Sequence, residues 1–235
     1  MHAQSSILSL FQNQSRDHPT CGDAVCGFPL SLRNVEDLLH ERGVDVSYES
    51  VRYWWHRFGS KFASQIKKRR AGGMQSSNWK WHLDEVFVKI NGKRLYLWRA
   101  VDHEGEVLES YVTKKRDKKA ELKFMKKAMR RFGSASEIVM DKLRSYSAAA
   151  IELGCSGKQV TERWANNRVE NSHLPFRRRE TAMLRFRRMH SLQKFASIHA
   201  PFHNLFNSQR SLSERCTFKL NRDAAFNKWH SLVSP

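Results

Sequence analysis

Between Trp81 and Val101 the chain spells two strands joined by a very tight turn. WHLDEVFVKI is rich in β-formers, Asn91-Gly92 follows, and RLYLWRAV returns from Arg94. Asn-Gly is the strongest short hairpin signal, because a type I′ turn needs positive φ at both central residues. His103-Glu104-Gly105-Glu106 marks another turn, and Val107–Thr113 reads as a third strand. The middle of the chain is therefore a three-stranded antiparallel meander. Lys118–Phe132 then predicts a helix with Leu122, Met125, Met129 and Phe132 on one side, stopped by Gly133. Glu137–Met140 predicts a short fourth strand that ends at Asp141. Ser145–Leu153 reads as helix, Gln159–Trp164 as a fifth strand, and most of the remainder as helix. The expected class is α/β, a mixed sheet with flanking helices.

A small all-α region precedes the sheet. Residues 1–28 are polar and irregular, with Pro19, Gly22 and Gly27 interrupting any helix. Ser31 can cap a helix whose Leu32, Val35, Leu38 and Leu39 share one face, and Gly43 ends it. Ser47 can cap a second helix, Tyr48–Phe58, with Val51, Trp54 or Trp55, and Phe58 facing inward. Two short helices around a Gly-containing turn make a helix-turn-helix. Its second helix can enter the major groove, with Ser47, Tyr48, Glu49, Ser50 and Arg52 near base edges. An ordinary helical hairpin has the same pattern. The basic run Lys67-Lys68-Arg69-Arg70 favours the DNA-binding reading, and Ala71–Ser77 reads as a flexible linker. The expected organisation is an irregular segment 1–28, a helix-turn-helix domain 29–70, a linker 71–78, a catalytic α/β domain 79–212 and a tail 213–235.

Charge names the partner class. The 235 residues include 42 Lys+Arg against 23 Asp+Glu, a formal charge of +19. Such an excess repels itself when compact, and phosphates offer the usual compensation through counterion release. No apolar run has the length of a membrane span, and the stretch Ile7–Phe11 is too short for a signal peptide. The four cysteines, Cys21, Cys26, Cys155 and Cys216, are dispersed and read as reduced thiols of a cytosolic protein. Cys21 and Cys26 near His18 lack the second Cys/His pair of a zinc site.

Three acids stand out against this basic background. Asp84 sits inside an apolar strand, where a carboxylate is costly unless paired or bound to metal. Asp141 emerges at the end of another strand. Glu170 lies on a helix, followed by Arg177-Arg178-Arg179 and then Arg185, Arg187 and Arg188. Carboxylates on three elements suit Mg²⁺, a hard cation that takes oxygen ligands. Two such ions roughly 3.5–4 Å apart can activate a nucleophile and stabilise the leaving oxygen of a phosphodiester. The same acids could instead be salt-bridge partners in a basic protein, and Glu85 and Asp102 are rival carboxylates.

The segments WHLDEVFVKINGKRLYLWRAVD, MDKLRSY and RWANNRVENSHLPFRRRE resemble transposases of the insertion-sequence-six family, as does LSLRNVEDLLHERGVDVSYESVRYWWHRFG. The likeness runs from about Phe28 to Phe206. It implies an Asp-Asp-Glu (DDE) enzyme with a ribonuclease H-like fold, whose order of three antiparallel strands followed by alternating helix and strand agrees with the pattern above. It places the triad on Asp84, Asp141 and Glu170, holding two Mg²⁺ ions for which Mn²⁺ can substitute. It puts Arg177 seven residues after Glu170, two helical turns on and suited to a phosphate. It also implies double-stranded DNA as partner (element ends and target), a homodimer or higher multimer, and action on the bacterial nucleoid. Three features depart from the family. Residues 1–27 do not resemble its opening apolar helix, the Asp141–Glu170 gap (170 − 141 = 29 positions) is short, and Pro175 predicts a kink or an end to the helix of Glu170. The alternatives are a catalytically inactive helix-turn-helix protein descended from a transposase, and another ribonuclease H-like nuclease.

Overall fold

The computed structural model describes residues 30–73, 79–140, 144–160, 167–183, 185–206 and 214–233. Asp141, the segment 1–28 with Cys21 and Cys26, and Thr161–Trp164 of the expected fifth strand lie outside them. The described residues of Met1–Ile66 and Pro201–Pro235 form one compact unit, and those of Lys67–Ala200 form a second.

The larger unit is built on five strands: β1 (Lys80–Ile90), β2 (Lys93–Asp102), β3 (Val107–Thr113), β4 (Glu137–Val139) and β5 (Gln159–Val160). Their order is β3-β2-β1-β4-β5. β1 pairs antiparallel with β2, and β2 with β3, while β4 runs parallel to both β1 and β5. This is the ribonuclease H-like arrangement, with β1 at the centre. The hairpin turns at Asn91 (φ 49°) and Gly92 (φ 77°), the positive values that an Asn-Gly turn requires.

One sheet face carries the main core. Trp81 and Leu83 of β1, Trp98 and Ala100 of β2, and Leu108 of β3 pack on helix α3 (Lys118–Phe132) and on Ala149 and Ala150 of helix α4 (Arg144–Glu152). Asp117 caps α3 by accepting the Ala120 N–H at 2.9 Å. The face of α3 differs slightly from the expected one. Phe124 and Ala128 are fully buried, whereas Leu122 and Met129 sit partly buried at the margin. Strand side chains alternate, so the next residues along point to the other face. There Val101 and Val107 meet Val169 of helix α5 (Asn167–Ala182) and Ala200 of helix α6 (Met189–Phe206).

In the smaller unit, helix α1 (Leu32–His40) is capped by Ser31, which accepts the Asn34 N–H while the Asn34 side chain accepts the Ser31 N–H. Gly43 ends the turn at φ +76°. Val35 and Leu39 pack with Val51 of helix α2 (Tyr48–Gly73). Helix α7 (Arg215–Val233) occupies the stretch expected as a tail. Its Trp229 is buried against Phe62, Phe202 and Phe206, at ring separations of 5.0, 5.3 and 6.1 Å.

Helix α2 departs most from expectation. It runs to Gly73 rather than ending near Phe58, so Ala71–Gly73 of the expected linker are helical. Two residues of the basic run explain the extension. Lys67 Nζ lies 3.0 Å from Glu109 of β3, both buried, and Lys127 and Arg131 of α3 also reach Glu109 at 3.3 and 3.0 Å. Arg70 pairs with Asp102, Glu104 and Glu106 around the β2–β3 turn. Half of the run expected to face DNA is thus committed to ion pairs in the sheet. Burial pushes the Glu109 carboxyl up, but Lys67 and Lys127 outweigh it and hold it below the usual carboxylate range. Burial also lowers Lys67, and the one carboxylate it shares with two other cations does not reverse that.

Breaking a buried pair leaves an uncompensated charge, so Glu109→Gln should lower unfolding free energy at pH 7 by about 3–5 kcal/mol. Glu109 is depressed when folded. Its contribution is therefore present above the unfolded value of about 4.3 and is lost as pH falls through the folded one. Urea unfolding from pH 7 to 3 should show that the variant lacks this acid dependence; equal acid sensitivity of the two proteins would contradict the assignment.

Candidate active site

Asp84 stands mid-way along the central strand, its side chain 20% exposed, and its Oδ2 lies 3.1 Å from Nε2 of His173 on α5. His173 follows Glu170 by three residues and precedes Arg177 by four, so the three share one stripe of the helix. α5 is continuous from Asn167 to Ala182 with Pro175 inside it; the expected break does not occur. Packing accounts for this. Val169, His173, Phe176 and Glu180 are buried along one side, and Phe176 lies 6.1 Å from both Phe186 and Phe195. Pro175 removes one internal hydrogen bond, which these contacts offset. Ahead of the buried His173, Glu170 itself is exposed.

The electrostatics of this face are unusual. Arg99 is the cross-strand partner of Asp84 and is only 4% exposed. Directly opposed residues of an antiparallel pair point to the same side. Burial lowers the Arg99 guanidinium to about 10, which leaves it charged at neutral pH. Burial also lowers His173; the hydrogen bond to Asp84 opposes that, and Arg99 and Arg177 reinforce it. A neutral imidazole facing a carboxylate, which only accepts, must carry its proton on Nε2. The His173 Nδ1 is buried with no hydrogen-bond partner among the described residues.

The rival acids are otherwise engaged. Glu85 points to the opposite face and pairs with Arg116, its side chain 6% exposed. Asp102 is fully buried, held by Arg70 and by the N–H groups of Glu104 and Glu106 at 2.9 and 3.0 Å. In contrast, the Asp84 Oδ1 takes no hydrogen bond among the described residues. Asp84 and the helix of Glu170 are thus brought together, while Asp141 lies outside the described residues. Its predecessor Met140 is buried and donates its N–H to the Val160 carbonyl at 3.2 Å.

Among the expected phosphate contacts, Arg178 is exposed. Arg177 donates to the Phe87 carbonyl and to Glu180. Arg179 is 4% exposed, turned inward by its place on the buried side of α5. In the helix-turn-helix, the Ser47 Oγ accepts the Ser50 N–H at 3.3 Å and so serves as a cap. Tyr48 lies beneath the guanidinium groups of Arg33 and Arg52, at 5.4 and 6.0 Å, and Arg52 is exposed beside Glu49. His173 and Arg99 are not among the residues expected from sequence. The one available signal is the spacing in VENSH, which puts a histidine one turn after Glu170.

No three of His, Cys, Asp and Glu gather to hold a metal ion among the described residues. The donors that are described nevertheless suit a hard divalent cation: a free, partly accessible carboxylate oxygen on Asp84 and an exposed carboxylate on Glu170. No helix among the described residues is long and apolar enough to cross a membrane.

A family model described as a DDE domain matches residues 78–209. The transposase of the insertion sequence-like element IS431mec of Staphylococcus aureus (strain Mu50) is 31% identical over 159 residues, 66% of this chain and 69% of that protein. An uncharacterized protein of Methanocaldococcus jannaschii, MJ0017, is 28% identical over 170 residues, 72% of this chain and 74% of that one. The catalytic core domain of HTLV-2 integrase, solved with magnesium in a trimeric form, aligns with a TM-score of 0.41 at 15% identity, covering 61% of this chain and 97% of that one.

A ribonuclease H-like sheet carrying a DDE domain defines an enzyme of the polynucleotidyl transferase type. The chain belongs to the insertion-sequence-six family of DDE transposases.

His173 should remain neutral at pH 7, protonated on Nε2, and titrate below the ordinary 6.5. Long-range ¹H–¹⁵N NMR of the imidazole reads both properties. A midpoint above 6.5 would mean that Asp84 outweighs burial.

Proposed function

We propose that this transposase binds the terminal inverted repeats of its element through the helix-turn-helix and, with Asp84, Asp141 and Glu170 as metal-binding catalytic carboxylates, cuts the element ends and joins them to target DNA. The observation that carries this reading is the hydrogen bond from His173 to Asp84, which docks the helix of Glu170 onto the middle of β1. Asp141 follows β4, the parallel neighbour of β1.

Mg²⁺ held by the three carboxylates would polarise the phosphodiester and lower the pKa of a bound hydroxyl. The protein's own groups do the rest. His173 orients Asp84 and leaves its Oδ1 free. Arg178 offers its guanidinium to a phosphate. In cleavage, a water oxygen bonds to phosphorus and the 3′-oxygen of the element end departs with a proton. In joining, that 3′-hydroxyl bonds to a target phosphorus and a target 3′-oxygen departs. Bond count is conserved, so joining needs no external energy source. A multimer holding two ends and acting on both would give the replicative cointegrate.

Purified Asp84→Asn and Glu170→Gln proteins should lose Mg²⁺-dependent cleavage and joining on end-bearing duplexes while binding those duplexes as the wild type does. Joining retained by either variant would remove that residue from the catalytic set. Arg52→Ala should weaken binding to the inverted repeat by about tenfold, the scale of one base-edge contact. It should leave random duplex almost unaffected. Gel-shift titration of both duplexes reads the difference, and equal losses would instead make Arg52 a backbone contact.

A further inference from the structure

The tip of the β1–β2 hairpin and the loop after α5 carry a surface that the catalytic residues do not use. Lys89, Lys93, Arg94, Arg185, Arg187 and Arg188 are all exposed there. Among the described residues none of the six is in an ion pair. Phe87, with 55% of its surface exposed, leaves β1 on the α3 side of the tip, where the Arg94 guanidinium lies 4.9 Å from its ring centroid.

The surface is also built rather than incidental. Asn91 Nδ2 donates to the Arg187 carbonyl at 3.3 Å, tying the turn to the loop. Phe186 is buried between Phe176 and Phe195, with its ring stacked on Phe176 at 12°. Anchoring Phe186 inward turns the arginines on either side outward. Arg185 holds a left-handed φ of 70°, which costs an L-residue about 1–2 kcal/mol. Arg177, seven residues after Glu170, donates to the Phe87 carbonyl, so the patch begins roughly 10 Å along α5 from Glu170.

We propose that this hairpin tip and loop seat the target DNA duplex. Cations without carboxylate partners attract phosphates. The one amide at the tip, Asn91, donates to the Arg187 carbonyl, which leaves the exposed lysines and arginines to meet the duplex, and phosphates are the first groups they reach on its outside. Phosphate contacts carry no sequence information. They suit a target of arbitrary sequence better than an element end, which the helix-turn-helix would recognise. The inference rests on the transposase reading for the word "target".

The test uses the full chain and a random-sequence duplex, with affinity measured against salt. Removing one phosphate-neutralising cation should flatten the log–log slope by about 0.9. The triple variant Lys93→Ala, Arg94→Ala, Arg187→Ala should therefore flatten it by about 2–3. A control triple, Lys114→Ala, Lys115→Ala, Lys119→Ala, removes equal charge from exposed positions elsewhere and should leave the slope unchanged. Arg187→Glu, in the loop and outside the sheet, keeps the test decisive should the hairpin triple fail to fold; it should weaken binding in the same direction. An unchanged slope in the tip variants, or equal flattening by the control, would overturn the proposal. In the joining reaction, end cleavage by the tip triple should stay near wild type while half-saturation by target DNA rises severalfold. Impaired end cleavage with unchanged target saturation would assign the surface to element ends and overturn it too. Absence of cleavage by the wild type would sink the catalytic reading, while the salt slope would still judge the surface.

Discussion

A carboxylate in the central strand of a sheet covered on both faces is the constraint on which this structure turns. An acidic side chain there, here Asp84, is costly without partners. Its environment supplies a neutral imidazole donor, His173, and a buried cation across the strand pair, Arg99. The hydrogen bond does two things. It satisfies one oxygen of the carboxylate, and it sets the position of α5, whose other side packs through Phe176 into the cluster of Phe186 and Phe195. Glu170 is carried on the same helix, one turn before His173. The accommodation of one half-buried acid therefore decides where a second, exposed acid is presented.

Strand alternation separates this acid from its neighbour. Asp84 and Glu85 are adjacent in sequence, but they leave β1 on opposite sides. Glu85 meets Arg116 on the α3 side, where a salt bridge holds the loop before that helix. A slip of one residue in register would exchange the two environments. Register is held by the cross-strand pairs from Trp81–Asp102 to Ile90–Lys93 and by the Asn91-Gly92 turn. Site chemistry thus depends on hairpin geometry as directly as on side-chain type.

Local pattern makes much of this legible. The hairpin, the third strand and α3 follow from period, turn residues and a terminal glycine, and their observed bounds differ from the expected ones by a residue or less. α2 is not legible, because Gly72 and Gly73 read as part of a linker, whereas Lys67 and Arg70 hold the helix through acids 42 and 32 residues away. A run of four basic residues reads as one surface; only tertiary contact separates Lys67 and Arg70 from exposed Lys68 and Arg69. Pro175 misleads for the opposite reason, since a single missing hydrogen bond is small beside the packing of Phe176. His173 escapes a reading of the sequence because a lone histidine has no signal beyond its spacing, and Arg99 because burial of an arginine in a strand cannot be seen without the sheet.

The charge of the chain also takes on a different meaning once the pairs are placed. Lys67, Arg70, Arg116, Lys127 and Arg131 are held by acids of the sheet and its turns. They stabilise the fold and are poor candidates for phosphate contacts, since withdrawing them would strand Glu109, Asp102 or Glu85 in the interior. Arg99 is withdrawn still further, buried at the position that pairs with Asp84 across the strands. A large formal charge is therefore not a uniform field. It is a set of internally neutralised pairs within the sheet, surrounded by exposed cations whose location, rather than number, governs where a polyanion would settle.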